Sequence, residues 1–263
     1  LTDFRYLRKI WKKNAEEERL LGVSLTGIMD NPLTYTNGPE LERLLDELRE
    51  YSIEIATEWA EKLKINIPTA ITCIKPSGTV SQLVNCSPGI HTRWSAYLIR
   101  AVREDNKSPI TPFLRDTGVY SEPENSRPVD STVFYWPLES PQNAKTRHDL
   151  TAIEQLELYL TYKHHWTEHN PSCTVYVKQG EWIEVCAWVY KNFSDIGGVS
   201  FLPSSDHVYA QAPYSEITRE EYNERLSKLP KIDWNRLSEY EWEDMTDIKK
   251  EPACSGSGSC ELI

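Results

Sequence analysis

Two short stretches carry residue types that can do chemistry. Ile74-Lys75-Pro76-Ser77-Gly78-Thr79-Val80-Ser81-Gln82 follows an apolar run and sets small, hydroxyl-bearing residues around a glycine. If this turn opens a helix, it presents unpaired backbone N–H groups and the positive helix end to an anion. Gly78 lets the main chain approach closely, and Ser77, Thr79 and Ser81 add hydroxyl donors. Phosphate is the natural ligand, which makes Pro76, Ser77, Gly78, Thr79, Val80 and Ser81 the candidate binding residues. The GK[ST] signature of a P-loop is absent. Taken by themselves, the same residues are more simply read as an ordinary capped turn after a strand.

The second stretch is Cys254-Ser255-Gly256-Ser257-Gly258-Ser259-Cys260. Two cysteines joined by a Gly/Ser spacer can close a disulfide with little chain strain, and both sulfurs stay open to another thiol. Thiol–disulfide exchange suits that design. A metal half-site lacking two further ligands nearby, or an incidental thiol-bearing end, are the other readings.

Further candidates have plainer explanations beside them. His165 and His169 stand at i, i+4 near His164 and could ligate a metal, but a polar helix terminus accounts for all three; no metal site is assigned. Asp206-His207 could act as acid and base, or form an Asx-type turn. Trp136, Trp166, Trp182 and Trp188 read as packing residues, and Cys73, Cys86, Cys173 and Cys186 as small core hydrophobes.

The elements that must position these groups follow from periodicity. Helices are expected over 3–20, over 39–63 behind Gly38 and Pro39, over 150–166 with Asp149 as N-cap, over 181–193 and over 216–229. In the second, Leu41, Leu44, Leu45, Leu48, Ile55, Trp59 and Leu63 form an apolar stripe. Strands are expected over 70–74, 97–102, 132–136, 174–177 and 199–202. Strands and helices alternate, the mark of an α/β layout. Residues 120–130 read as an ordered surface loop, and the apolar signal thins beyond Pro203.

Composition bounds the partners. Lys+Arg of 29 against Asp+Glu of 40 gives a net charge of −11 over 263 residues, which repels a nucleic-acid polymer. No apolar run approaches the roughly 20 residues of a membrane helix, so no membrane partner is expected. The six cysteines do not form a secreted disulfide framework, which points to a reducing, cytoplasmic compartment. From Leu1 the chain opens directly on an amphipathic helical pattern, as an interior piece of a longer protein would.

Taken together, Lys75 to Leu83, Ser87-Pro88-Gly89-Ile90-His91, Ala152-Ile153-Glu154-Gln155-Leu156-Glu157, Gly198-Val199-Ser200-Phe201-Leu202-Pro203 and the cysteine-bearing tail resemble the adenosylcobalamin-dependent (class II) ribonucleotide reductases. The likeness is greatest to the monomeric ribonucleoside-triphosphate reductases, and it keeps the motifs in family order. It implies the C-terminal part of a ten-stranded α/β barrel over 1–202, a wrapping segment over 203–250 and a flexible redox tail over 251–263. It also implies that Pro76 to Ser81 hold the substrate's phosphates. Cys254 and Cys260 would re-reduce the active-site disulfide and would themselves be reduced by thioredoxin or a similar dithiol. The cofactor implied is adenosylcobalamin, the substrate a ribonucleotide. The thiyl-radical cysteine would lie on an upstream half, the partner of this one. A noncatalytic nucleotide-binding remnant and a thiol-exchange partner are the alternatives.

Overall fold

The computed structural model describes residues 4–204 and 209–241. In chain order its elements are α1 (Lys9–Glu18), β1 (Val23–Ser24), α2 (Pro32–Tyr35), α3 (Pro39–Leu63), β2 (Thr72–Cys73), α4 (Val80–Leu83), β3 (Tyr97–Asp105), α5 (Ile110–Thr117), β4 (Ser121–Pro123) and β5 (Ser131–Glu139). There follow α6 (Ala152–His165), β6 (Thr174–Val177), α7 (Trp182–Lys191), β7 (Ser200–Pro203), β8 (Tyr214–Glu216) and α8 (Arg219–Lys228), with short 3-10 turns at Ile28–Asp30 and Trp234–Glu239. The chain divides into two compact units that interleave in sequence, 1–93 with 143–205 and 94–142 with 206–263. The division cuts through the expected 1–202 segment at Arg93 and Asn143.

The first unit is built on short parallel strands. β1 pairs with β2, and β6 with β7 across the α7 crossover. Ser172 N donates to Ile74 O at 2.9 Å, which lays the approach to β6 alongside β2. Helix α6 covers these strands through Leu156, Tyr159, Tyr162 and the adjoining Trp166, all at most 2% exposed. Trp166 is also pinned by polarity, because its indole N–H donates to Cys73 O at 2.9 Å while Thr72 Oγ1 donates to Trp166 O. An indole can be buried without penalty when its N–H finds such an acceptor.

Helix α3 starts as expected, with Pro39 at its first position, and ends at Lys64 in the left-handed conformation. Its stripe packs less completely than the periodicity implies. Leu41, Leu45 and Ala60 are buried, whereas Leu48, Trp59 and Leu63 are exposed. The start of α6 is a correction: the N-cap is Thr151, not Asp149. Thr151 and Glu154 form a reciprocal capping box. Asp149 instead accepts from the amide and hydroxyl of Thr146, closing the preceding turn.

The second unit departs from the alternating layout. Its four strands run in the order β4-β5-β3-β8, all antiparallel. β3 and β5 pair over nine residues each, from Tyr97↔Glu139 to Asp105↔Ser131. Phe134 packs there with Phe113, Leu114 and Val119, and Trp234 and Tyr240 close over Phe113 with ring centroids 5.7 and 5.6 Å away. β4 lies within the stretch read as loop: Ser121–Pro123 is a three-residue edge strand, and Pro123 is tolerated at its end because an edge needs no second ladder partner. No helix among the described residues is long and apolar enough to cross a membrane.

Candidate functional site

The turn at 76–81 leaves the carboxyl end of β2, the end of a parallel strand where open α/β sheets present their ligand sites. Pro76, Thr79 and Val80 are exposed, while Ser77 and Gly78 are half-buried. The left-handed residue is Ser77, with φ 53°, and Gly78 is not among the positive-φ positions. Ser81 is fully buried, and its hydroxyl donates to Ser77 O. Ser81 thus closes the turn from inside, leaving Ser77 and Thr79 as its outward hydroxyls. Helix α4 is a single turn of four residues. Its macrodipole is correspondingly small, and of its first-turn amides Ser81 N already donates to Ser77 O at 3.3 Å.

The turn is held at both ends by residues to which sequence reasoning gives no bracing role, although Ser87, Gly89 and His91 stand in the motif that carries the resemblance. On the near side, Lys75 N donates to Ser24 Oγ at 3.0 Å, and Gly89 packs against the Lys75 carbonyl. Gly89 has φ +57°, and a Cβ there would stand 2.5 Å from Lys75 O. Only glycine fits both the conformation and the approach. Gly89 N in turn donates to Thr26 Oγ1 at 2.9 Å. On the far side, Asn85 is gripped by Arg93, whose Nη2 donates to Asn85 O at 2.7 Å. Arg93 Nε and Nη2 also meet the two carboxylate oxygens of Asp30, each at 2.8 Å, and Asp30 Oδ2 accepts from Ser87 N at 2.7 Å. Asp30 and Arg93 lie 63 residues apart, so no local pattern reveals the pair.

His91 completes the brace. Its Nδ1 lies 2.9 Å from Pro88 O, and Thr174 N donates to its Nε2 at 3.0 Å. A carbonyl can only accept and an amide N–H only donate, so the ring is the neutral tautomer with its proton on Nδ1. Burial holds its pKa below the ordinary 6.5, against a smaller opposing effect of the Pro88 hydrogen bond.

The other sequence candidates separate. His165 pairs with Asp46 at 3.0 Å, His169 Nε2 meets Leu21 O at 3.2 Å, and His164 lies 3.9 Å from Asp195. Among the described residues no group of three or more His, Cys, Asp or Glu could hold a metal ion. Cys73, Cys86, Cys173 and Cys186 are free thiols. Burial pushes Cys173 up to about 12, making it inert as a thiolate. Cys186 corrects the core reading, since it is exposed on α7, and Cys86 is only half-buried. Trp166 and Trp188 are core residues, whereas Trp182 is 37% exposed. Asp206, His207, Cys254 and Cys260 lie outside the described residues.

No family model matches the chain. Curated proteins do. A Dictyostelium discoideum protein named probable adenosylcobalamin-dependent ribonucleoside-triphosphate reductase is 32% identical over 260 residues, 93% of this chain and 32% of that protein. The adenosylcobalamin-dependent ribonucleoside-triphosphate reductases of Euglena gracilis and Lactobacillus gasseri are 29% and 27% identical, over 83% and 84% of the chain. The chain is homologous to these reductases. It spans about a third of their length. The fold agrees: the crystal structure of a B12-dependent (class II) ribonucleotide reductase superimposes with a TM-score of 0.76, covering 88% of this chain and 36% of the other at 21% identity.

Proposed function

We propose that the chain is the C-terminal part of an adenosylcobalamin-dependent ribonucleoside-triphosphate reductase, which converts ribonucleotides to 2′-deoxyribonucleotides in the cytoplasm. The observation that carries this reading is homology along 93% of the chain to proteins of that name. In it, the parallel strands of the first unit contribute to a ten-stranded α/β barrel completed by an upstream half. Adenosylcobalamin is the radical-generating cofactor of the complete enzyme. The described residues supply no donor set for a metal.

The chain's own part is binding and re-reduction. The amides of residues 77–80, with the hydroxyls of Ser77 and Thr79, receive the substrate's phosphates; Pro76 has no N–H, and Ser81 N is engaged by Ser77 O. The support is geometric: the turn sits at a strand's carboxyl end, exposes Thr79 and Val80, and is fixed at both ends. Each turnover converts a ribonucleotide and an active-site dithiol to a deoxyribonucleotide, water and a disulfide. Cys254 and Cys260 then exchange with that disulfide, taking it over as their own and restoring the dithiol, and thioredoxin or a similar dithiol reduces the tail.

Two measurements on the full-length reductase test this. Gly78→Val should raise KM for the nucleotide, because a branched side chain keeps the main chain from its ligand; an unchanged KM removes the turn from the site. Replacing Cys254 and Cys260 by Ser should leave the first turnover intact and abolish multiple turnover with thioredoxin, with rescue by dithiothreitol. Equal multiple turnover with thioredoxin refutes the shuttle, and loss of the first turnover would place these cysteines in the chemistry or the fold.

A further inference from the structure

A buried ion pair is expensive to desolvate and is best justified where it fixes a conformation that would otherwise be one of several. The Asp30–Arg93 pair is such a case. Its side chains are only 15% and 10% exposed, and it joins no two helices or strands of the core. What it joins is the end of the 3-10 turn Ile28–Asp30 to Arg93, which lies outside the main strands and bridges Thr146. The guanidinium faces the Asp30 carboxylate with two parallel N–H groups and turns its remaining donors to Asn85, through the main-chain oxygen at 2.7 Å and the side-chain oxygen at 3.3 Å. Asn85 has φ 48°, a left-handed conformation that needs outside support in a non-glycine residue.

The Arg93 main chain is immobilised as well. Its amide donates to Lys145 O and its carbonyl accepts from Arg147 N, each at 2.9 Å. The side chain therefore projects from a fixed point. Asn85 lies two residues past α4, whose first residue is also the fifth of the 76–81 turn. Lys75, at the other end, is braced by Gly89 within the same 85–93 loop. A single loop thus fixes both flanks of the turn.

We propose that Asp30 and Arg93 are positioning residues for the phosphate-binding turn: by clamping Asn85 and Ser87 they set the direction of the 78–80 amides without touching the ligand. The inference rests on the phosphate reading of the turn. The pair is internally neutral, so its effect on an anion is exerted through geometry. Lysine cannot replace arginine there, since a point charge would keep the attraction to Asp30 and lose the fork that reaches Asn85.

The test uses the full-length reductase, with inorganic tripolyphosphate as a competitor that sees the turn and not the ribose. Arg93→Lys should raise KM for the ribonucleoside triphosphate and Ki for tripolyphosphate by the same factor, about tenfold, with kcat changed less than about threefold. Asn85→Gly, which relieves the left-handed strain and removes one contact to Arg93, should move both constants by about threefold in the same direction. It serves as the measurement if Arg93→Lys fails to fold. Melting temperatures that fall while KM and Ki stay at parental values would make the pair merely structural and overturn the proposal. Tripolyphosphate that competes with the parent but keeps its Ki in both variants would do the same while leaving the phosphate reading standing. If tripolyphosphate does not compete with the parent and Gly78→Val leaves KM unchanged, the phosphate reading falls and the proposal with it.

Discussion

The two units solve the problem of holding polar groups in opposite ways. In the first, strands of two to four residues leave much of the main chain to loops, and the loops are fixed from within by Asp30, Arg93, Ser87 and His91. In the second, two nine-residue antiparallel strands pair along their whole length, so its polar contacts, from the buried Glu124 beside Arg103 at 3.6 Å to the edge strand, decorate a ladder that already stands. There Tyr120 and Tyr135 both donate to Glu122 on the edge strand β4, at 2.5 and 3.1 Å. These bonds hold the Glu122 carboxyl below its usual range, while Tyr135, chiefly through burial, is pushed up to about 12. A long ladder makes a fold with few special residues. Short strands hand the conformation to individual side chains, which is where a ligand site can be built.

Mutations should divide along that line. The largest effect is expected in the apolar core of the second unit, where Phe134→Ala removes a fully buried ring and should cost about 4 kcal/mol by chemical denaturation. In the first unit a change of one methyl should come close to it: Gly89→Ala, forced into a left-handed conformation against Lys75 O, should cost about 3 kcal/mol. A loss below about 1 kcal/mol at Gly89 would show that the 85–93 loop yields, and would break the comparison. Thr151→Ala deletes half of the α6 capping box and should cost about 1 kcal/mol by the same measurement.

The remaining effects are smaller and sharpen the contrast. His91 is held neutral with a depressed pKa, so the unfolded chain binds the extra proton first. Its contribution is complete above the unfolded value of about 6.5 and declines as pH falls below it. The melting temperature should therefore drop more steeply below that pH in the parent than in His91→Gln; parallel pH profiles would remove His91 from the brace. Smallest of all, Glu122→Gln should cost less than about 1 kcal/mol, because the carboxylate lies toward solvent where such bonds are screened. A loss as large as that at Gly89 would erase the difference between the two units.

Much of the first-order structure was legible in the sequence because it is local. Helical periodicity located α3, α6, α7 and α8 to within a few residues, and β-branched runs located β3, β5, β6 and β7. Pro39 and Gly38 marked a helix start through steric rules that need no partner. Of the two- and three-residue strands, β2 falls within the run expected over 70–74, but the others carry no such signal. β1, β4 and β8 exist only because a neighbouring strand offers hydrogen bonds, and α5 is eight residues whose apolar face shows its purpose only against Phe134.

The turn at 76–81 shows the same division inside one site. Its composition, small residues after a strand, was enough to single it out as an anion-binding candidate. Which hydroxyl points outward was not, since Ser77, Thr79 and Ser81 are chemically alike and only the fold buries Ser81. Nor was the pairing of Asp30 with Arg93, or the closeness of Gly89 to Lys75. Composition and periodicity are properties of neighbouring residues along the chain and survive in the sequence. A hydrogen bond between residues 63 apart is selected by the whole tertiary structure, because it needs the 26–30 and 85–93 segments side by side, as they are in the fold that pairs β1 with β2.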